Sequence, residues 1–235
     1  MQLKCGKIKH TLNLDKRVLI SIIYIMIVSH KYKLIFLHYP KNAVTNITSL
    51  LTKLDPNIVR FFIADIHHPS HGHIDATTGK NLVSPEVWNE YTKFGVIRNS
   101  FDWHVSLYNY MNNHPHFSNL EPIKDKCTFK QYLNWSKENM LGSKKFYMQP
   151  GSQKSFFTVD NKIIENLLDF NNLENELYAF LNKYSIPKKD LAPANINKSV
   201  RDRDYKNYYN EELINTVKSI NKEDIDYFKL IWLNI

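Results

Sequence analysis

Two stretches of this chain carry an apolar run into a polar loop and then restart at helical spacing. Together they constrain the fold more than any other feature. In the first, Lys33-Leu34-Ile35-Phe36-Leu37-His38-Tyr39 closes at Pro40, and residues 40–46 are polar and turn-like. Ile47, Leu50, Leu51 and Leu54 then recur at helical spacing and stop at Pro56. An apolar run without alternation is the pattern of a strand covered on both faces, and the 3.6-residue recurrence is that of a helix packed on it. In the second, Thr92-Lys93-Phe94-Gly95-Val96-Ile97 leads into Arg98-Asn99-Ser100 and a helix from about Phe101 to Met111, with Val105 and Tyr108 among its apolar positions. Strands alternating with helices predict an α/β fold with a central parallel sheet flanked by helices.

The rest of the chain fits that frame. Residues 57–64 predict a further short apolar element, and Ser84-Pro85-Glu86 is a helix start with a capping hydroxyl and proline at the first helical position. Residues 128–135 read as helix, 155–160 as strand or hairpin, and 173–184 as helix ended near Pro187. Residues 205–230 read as helix, break, helix, while 67–72 and 114–125 read as loops. One domain is expected over residues 31–235, preceded by an N-terminal extension, residues 1–30, that is apolar in part. The apolar stretch between Arg17 and Ser29 is about eleven residues long, against the roughly 20 needed to cross a bilayer. A buried strand or short core helix is favoured there. A cytoplasmic protein is therefore expected, with membrane association through residues 17–29, in the Golgi or elsewhere, as the alternative.

Lys and Arg number 31 against 23 Asp and Glu, for a net charge of +8, which favours anionic partners. The lysines are scattered and form no long basic block, so nucleic acid is not an expected partner. Cys5 and Cys127 are the two cysteines and stand in no metal-binding spacing, so no metal is expected.

The loops suggest chemistry. A loop entering a helix presents backbone N–H groups and the positive end of the helix dipole, which hold phosphate or sulfate. Lys41 adds a point charge there and Thr45 a hydroxyl. Arg98, at the end of the second strand, suits bidentate phosphate binding, and Ser106 lies about two turns further on. The alternative for Arg98 is a surface ion pair with Asp102. In open α/β sheets ligands bind outside the carboxyl ends of the strands, and two anion sites on one such edge suit a nucleotide phosphorylated at both ends.

These residues resemble a known family. Residues 36–47, with Pro40-Lys41-Asn42-Ala43-Val44-Thr45-Asn46 at their centre, are similar to the 5′-phosphosulfate loop of carbohydrate-type sulfotransferases, usually Pro-Lys-Thr-Ala-Gly-Thr-Ser. Residues 94–108, including Arg98-Asn99-Ser100-Phe101-Asp102 and Ser106, resemble that family's 3′-phosphate site. His73-Ile74-Asp75-Ala76 resembles its His-containing segment, and Asn197-Lys198-Ser199 with Tyr205 and residues 208–213 its C-terminal block. Val44 stands where glycine is usual, Asn42 for Thr, Asn46 for Ser, Ser100 for Pro and Trp103 for Arg. A glycine in such a loop permits close backbone approach or positive φ, so Val44 is expected to be awkward there.

The resemblance implies a P-loop-like sulfotransferase fold, the donor 3′-phosphoadenosine 5′-phosphosulfate (PAPS), no metal, and a hydroxyl acceptor that is a glycan. It implies that Lys41 stabilises charge at the bridging oxygen and that Lys41, Asn42, Ala43, Val44, Thr45 and Asn46 hold the phosphosulfate, with Arg98 and Ser106 on the 3′-phosphate. Lys198, Arg201 and Tyr205 are candidates for closing over the nucleotide. A base is needed for the acceptor proton, and His73 is the first candidate and His71 the second within the group His67, His68, His71 and His73. Asp65 and Asp75 are weaker candidates. Acceptor choice would lie in residues 114–126 and 140–153. Two other readings stand beside this one. A catalytically degenerate relative would bind nucleotide or glycan without turnover. A nucleotide kinase-like phosphate-loop enzyme would need a Gly-rich loop ending in Lys-Ser/Thr, which the chain lacks.

Overall fold

The computed structural model describes residues 5–8, 26–63, 73–114, 117, 126–141, 150–187, 204–229 and 231–232. Two compact units are distinguished. One comprises residues 1–97 and 146–196, the other residues 98–145 and 197–235.

The first unit is built on a six-stranded sheet of β1 (Cys5–Ile8), β2 (Met26–Ser29), β3 (Leu34–Leu37), β4 (Val59–Ile63), β5 (Thr92–Ile97) and a strand Asn166–Asp169. A two-residue hairpin, β6 (Thr158–Val159) and β7 (Lys162–Ile163), precedes that last strand, which is therefore β8. The sheet order is β1-β4-β2-β3-β5-β8. β3, β5 and β8 pair in parallel, while β2 runs antiparallel to both β3 and β4 and β1 antiparallel to β4. Four strands thus share the expected direction and β1 and β2 oppose them. The opposed pair arises because Met26–Ser29 joins β3 through a tight turn at residues 30–33, which only an antiparallel partner permits. Every residue of β2 and β3 is buried, as unbroken apolar runs require. The apolar end of the N-terminal extension is therefore a sheet strand. No described helix is long and apolar enough to cross a membrane.

Helices cover both faces of this sheet. α1 (Val44–Leu54) buries Ile47, Leu50, Leu51 and Leu54, the four positions its spacing predicts. They pack in one cluster with Phe36, Phe94, Val96 and Leu168 of the sheet and with Phe180 and Leu181 of a later helix, Leu173–Lys183. Each such side chain contributes about 1.5–3 kcal/mol on burial. The opposite face takes α2 (Ala76–Leu82), α3 (Pro85–Glu90) and α6 (Gln153–Phe156), with the helix Leu173–Lys183 numbered α7. Gly79 of α2 lies against Met26 and Leu37, where an added Cβ would meet their side chains at 3.0 and 3.1 Å. Ser84 caps α3 as expected, accepting from the Val87 amide.

The second unit is helical: α4 (Ser100–Asn113), α5 (Phe129–Leu141), a 3-10 turn Tyr205–Tyr208, α8 (Glu211–Ile220) and α9 (Lys222–Phe228). The expected break in the C-terminal helix falls at Asn221, whose amide closes α8 on Val217 O. The first eight residues of α4 are all buried.

Three elements differ from the sequence expectation. Residues 155–160 divide between the end of α6 and strand β6, because the Ser152 hydroxyl accepts from the Ser155 amide and starts a helical turn. β8 gave no strand signal because Asn166 and Asp169 bound a two-residue apolar centre. α2, Ala-Thr-Thr-Gly-Lys-Asn-Leu, lacks any apolar period.

Gly95 marks a close approach. On β5 it faces away from Phe94 and Val96, towards Phe157, whose ring would lie 2.4 Å from an added Cβ. Phe157 is wholly buried beside Phe156 and Tyr39 and has little room to yield. Gly95→Ala is expected to lower unfolding stability by about 1–3 kcal/mol, read as a lower urea midpoint at unchanged m-value.

Candidate functional site

In the first unit, β3 delivers the chain to His38 at its carboxyl end and α1 restarts at Val44. The turn is made by two non-glycine residues in the left-handed region, Lys41 at φ 63° and Ala43 at φ 55°. Val44, expected to be awkward where glycine is usual, is simply the first residue of α1. The left-handed positions fall on its neighbours, so its β-branch meets only the conformation of a helix start. Ala43 occupies the cap position and has no side chain with which to accept a first-turn amide. The long helices of the second unit differ: Asn99 caps the Phe101 amide and Asn210 caps the Leu213 amide. The start of α1 thus presents first-turn N–H groups that no cap side chain occupies, the kind of helix end that can take an anion.

The loop is tied down from beneath. The Asn42 carboxamide donates through Nδ2 to Val96 O at 2.7 Å and to Gln153 Oε1 at 2.8 Å. The Tyr39 hydroxyl donates to Gly151 O at 2.5 Å, and its ring meets Phe156 edge-on. Asn42 Oδ1 and Asn46 Oδ1 are buried with no hydrogen-bond partner among the described residues. Lys41 is half-buried and Thr45 exposed.

His73 stands beside this loop. It is 2% exposed, its ring is edge-on to that of His38 at 4.7 Å, and its Nδ1 lies 3.3 Å from His38 O. A carbonyl can only accept, so Nδ1 carries the proton and Nε2 carries the lone pair. Nε2 is buried without a partner among the described residues. Burial pushes the imidazole pKa down to about 4, so the ring is neutral at pH 7. Asp75 is the cap of α2, accepting from the Thr78 amide at 2.7 Å, which accounts for its carboxylate. His67, His68, His71 and Asp65 lie outside the described residues.

In the second unit, Arg98 is 3% exposed and donates from Nε to Asp102 Oδ2 at 2.7 Å. The ion pair anticipated at the surface is thus buried, and it fixes the plane of the guanidinium. Ser106, also buried, follows Asp102 by one helical turn on the same face of α4. Tyr205 joins this group: burial and then the nearby Asp102 and Asp204 carboxylates raise its phenol pKa. Tyr209 donates its hydroxyl to Phe101 O at 2.8 Å and so fastens the C-terminal block to α4. Lys198 and Arg201 lie outside the described residues. The structure gathers Arg98, Asp102, Ser106 and Tyr205 within one unit, and the loop residues with His73 within the other. Gln153 figures in the sequence only as the end of the segment assigned to acceptor choice, and its link to Asn42, across 111 positions, left no signal there.

The second unit also holds a wholly buried histidine. His104 Nε2 donates to Asn221 Oδ1 at 2.7 Å and Nδ1 accepts from the Tyr132 hydroxyl at 3.1 Å, with its pKa pushed down by burial to about 4. For His73 and His104 alike, the unfolded chain binds the proton more tightly than the folded one. Their stabilisation is complete above about pH 6.5 and is lost as pH falls through 4. Each is expected to remove roughly 3 kcal/mol across that window. Urea midpoints followed over the same window check this, and glutamine at either position should flatten its share.

The family described as "Sulfotransferase family" matches residues 25–230. No curated protein is significantly similar to the chain. Among solved structures, mouse sulfotransferase SULT7A1 complexed with PAP is similar in fold, with a TM-score of 0.50 and 13% identity, over 81% of this chain and 82% of that one.

Proposed function

The chain belongs to the sulfotransferase family, and from that premise we propose that it transfers the sulfuryl group of PAPS to a hydroxyl of a carbohydrate. The observation that carries this reading is the loop before α1: two left-handed residues, Lys41 and Ala43, lead into a helix start without a side-chain cap. That arrangement suits a phosphosulfate, and the PAP bound to the mouse relative supports the choice of donor. Residues 41–46 take the 5′ end of the nucleotide. Arg98 and Ser106 take its 3′-phosphate, with Tyr205 beside them and Lys198 and Arg201 as further contacts.

In the reaction, the acceptor oxygen forms a bond to sulfur while the bond from sulfur to the bridging oxygen breaks, and adenosine 3′,5′-bisphosphate (PAP) departs. Negative charge grows on the bridging oxygen, where the Lys41 ammonium would stabilise it. The acceptor proton passes to His73 Nε2, whose lone pair is held in place by the Nδ1–H bond to His38 O. The low pKa keeps that lone pair available in every molecule at pH 7.

Calorimetric titration of the folded protein with PAP tests the donor reading. Binding with a micromolar Kd is expected. Absence of binding would reduce the resemblance to shared ancestry. Transfer of label from PAPS to a panel of glycans, and to non-sugar alcohols for comparison, tests the acceptor.

A further inference from the structure

We propose that Gln153 is a positioning residue for the donor loop, acting through Asn42. This rests on the reading of residues 41–46 as the phosphosulfate loop. Both N–H bonds of the Asn42 carboxamide are engaged, one by Val96 O near the end of β5 and one by Gln153 Oε1. Val96 O can only accept, so Nδ2 must face it, and this fixes Oε1 as the atom Gln153 presents. Gln153 is 1% exposed and opens α6. Its segment is anchored a second time, by the bond from Tyr39 to Gly151 O, and a third time by Phe157 packed beneath Gly95.

The ties at Tyr39 and Asn42 flank Lys41, one of the two left-handed residues of the turn, and Asn42 lies between both. A non-glycine residue persists in that region only when its surroundings over-determine it. The Gln153–Asn42 bond is one of those restraints. The orientation of Asn42 leaves its Oδ1 buried without a partner among the described residues, a cost the fold accepts in order to hold the carboxamide this way. Without the Gln153 acceptor, the carboxamide keeps only its bond to Val96 O, the residues at positive φ lose one of their restraints, and the first-turn amides of α1 lose part of their preset direction. Recognition of a 5′-phosphate should suffer while recognition of a 3′-phosphate does not.

Gln153→Met removes the acceptor and keeps the buried volume. Titration of wild type and variant with PAP and with adenosine 3′-monophosphate, which lacks the 5′-phosphate, reads the effect. The expected result is about tenfold weaker binding of PAP, with the affinity for the monophosphate unchanged. Unchanged PAP affinity, or equal losses for both ligands, overturns the proposal. Wild-type protein that binds no PAP overturns the donor reading itself, and this proposal with it. If the single variant does not fold, Asn42→Leu/Gln153→Met removes both polar side chains at nearly constant volume, and a buried pair replaced together by apolar groups of similar shape is far better tolerated. The double variant should show the same selective tenfold loss, and wild-type PAP affinity there again overturns the proposal.

Discussion

Lys41→Ala is expected to reduce kcat for sulfuryl transfer by about 10²–10³-fold while weakening PAP binding by no more than about tenfold. The asymmetry follows from where charge appears. In bound PAPS the bridging oxygen carries little charge, and it gains charge only as its bond to sulfur breaks. An ammonium aimed at that atom therefore favours the transition state over the ground state. The backbone does not confuse the comparison. Residue 41 is left-handed at φ 63°, and alanine meets the same steric penalty there as lysine, so the substitution removes the ammonium and leaves the turn alone. Lys41→Arg should fall between the two, since it restores charge on a wider, planar group. Release of PAP from PAPS in the presence of acceptor measures the rate, and calorimetry the affinity. A variant that keeps its kcat and loses affinity would make Lys41 a ground-state contact and move the developing charge elsewhere.

The sequence shows clearly those parts of the molecule that repeat along the chain. β3 and β5 are apolar runs bounded by Pro40 and Arg98, and α1 buries the four positions its period requires. Such signals are local, since a strand covered on both faces and a helix covered on one each leave a regular trace in ten residues or so. The Arg98–Asp102 pair was also visible at helical spacing, although its burial was not, because burial depends on what the C-terminal block brings over α4. The awkwardness expected at Val44 does not arise. Family comparison drew attention to Val44, where the usual glycine is missing, yet the turn is completed at Lys41 and Ala43 before the helix begins.

What the sequence hides is closure in three dimensions. Asn42 and Gln153 meet across 111 positions, and Gly95 is small because Phe157 comes to lie on it. Neither partner has a periodic neighbour to betray it. His73 was legible as the first candidate among several histidines only through its resemblance to the family's His-containing segment. Its distinction is the bond from Nδ1 to His38 O, which settles the tautomer and which no spacing encodes. β8 shows the same limit in a strand. It earns its place by pairing with β5, from Phe94 opposite Asn166 to Ile97 opposite Asp169, rather than by its own composition.

Arg98→Ala should have the largest combined effect on binding and stability. On the role proposed for Arg98, the variant deprives the 3′-phosphate of its cation, and PAP affinity is expected to fall at least 10²-fold. Asp102, 5% exposed, loses its buried guanidinium partner, and removal of one member of a buried pair costs about 3–5 kcal/mol. A loss of binding in this variant alone therefore has two explanations. Arg98→Met/Asp102→Asn separates them, because it removes both charges and retains volume and a polar group at residue 102. Its unfolding midpoint should recover most of the stability, while PAP binding stays weak. Arg98→Lys should fold and bind about tenfold less tightly than wild type, since an ammonium supplies charge without the planar donor fork. If the double variant binds PAP as wild type does, Arg98 serves to neutralise Asp102, and the 3′-phosphate must be held by other groups. If it folds and fails to bind, the guanidinium itself reads the phosphate, and Asp102 acts by holding its plane through Nε.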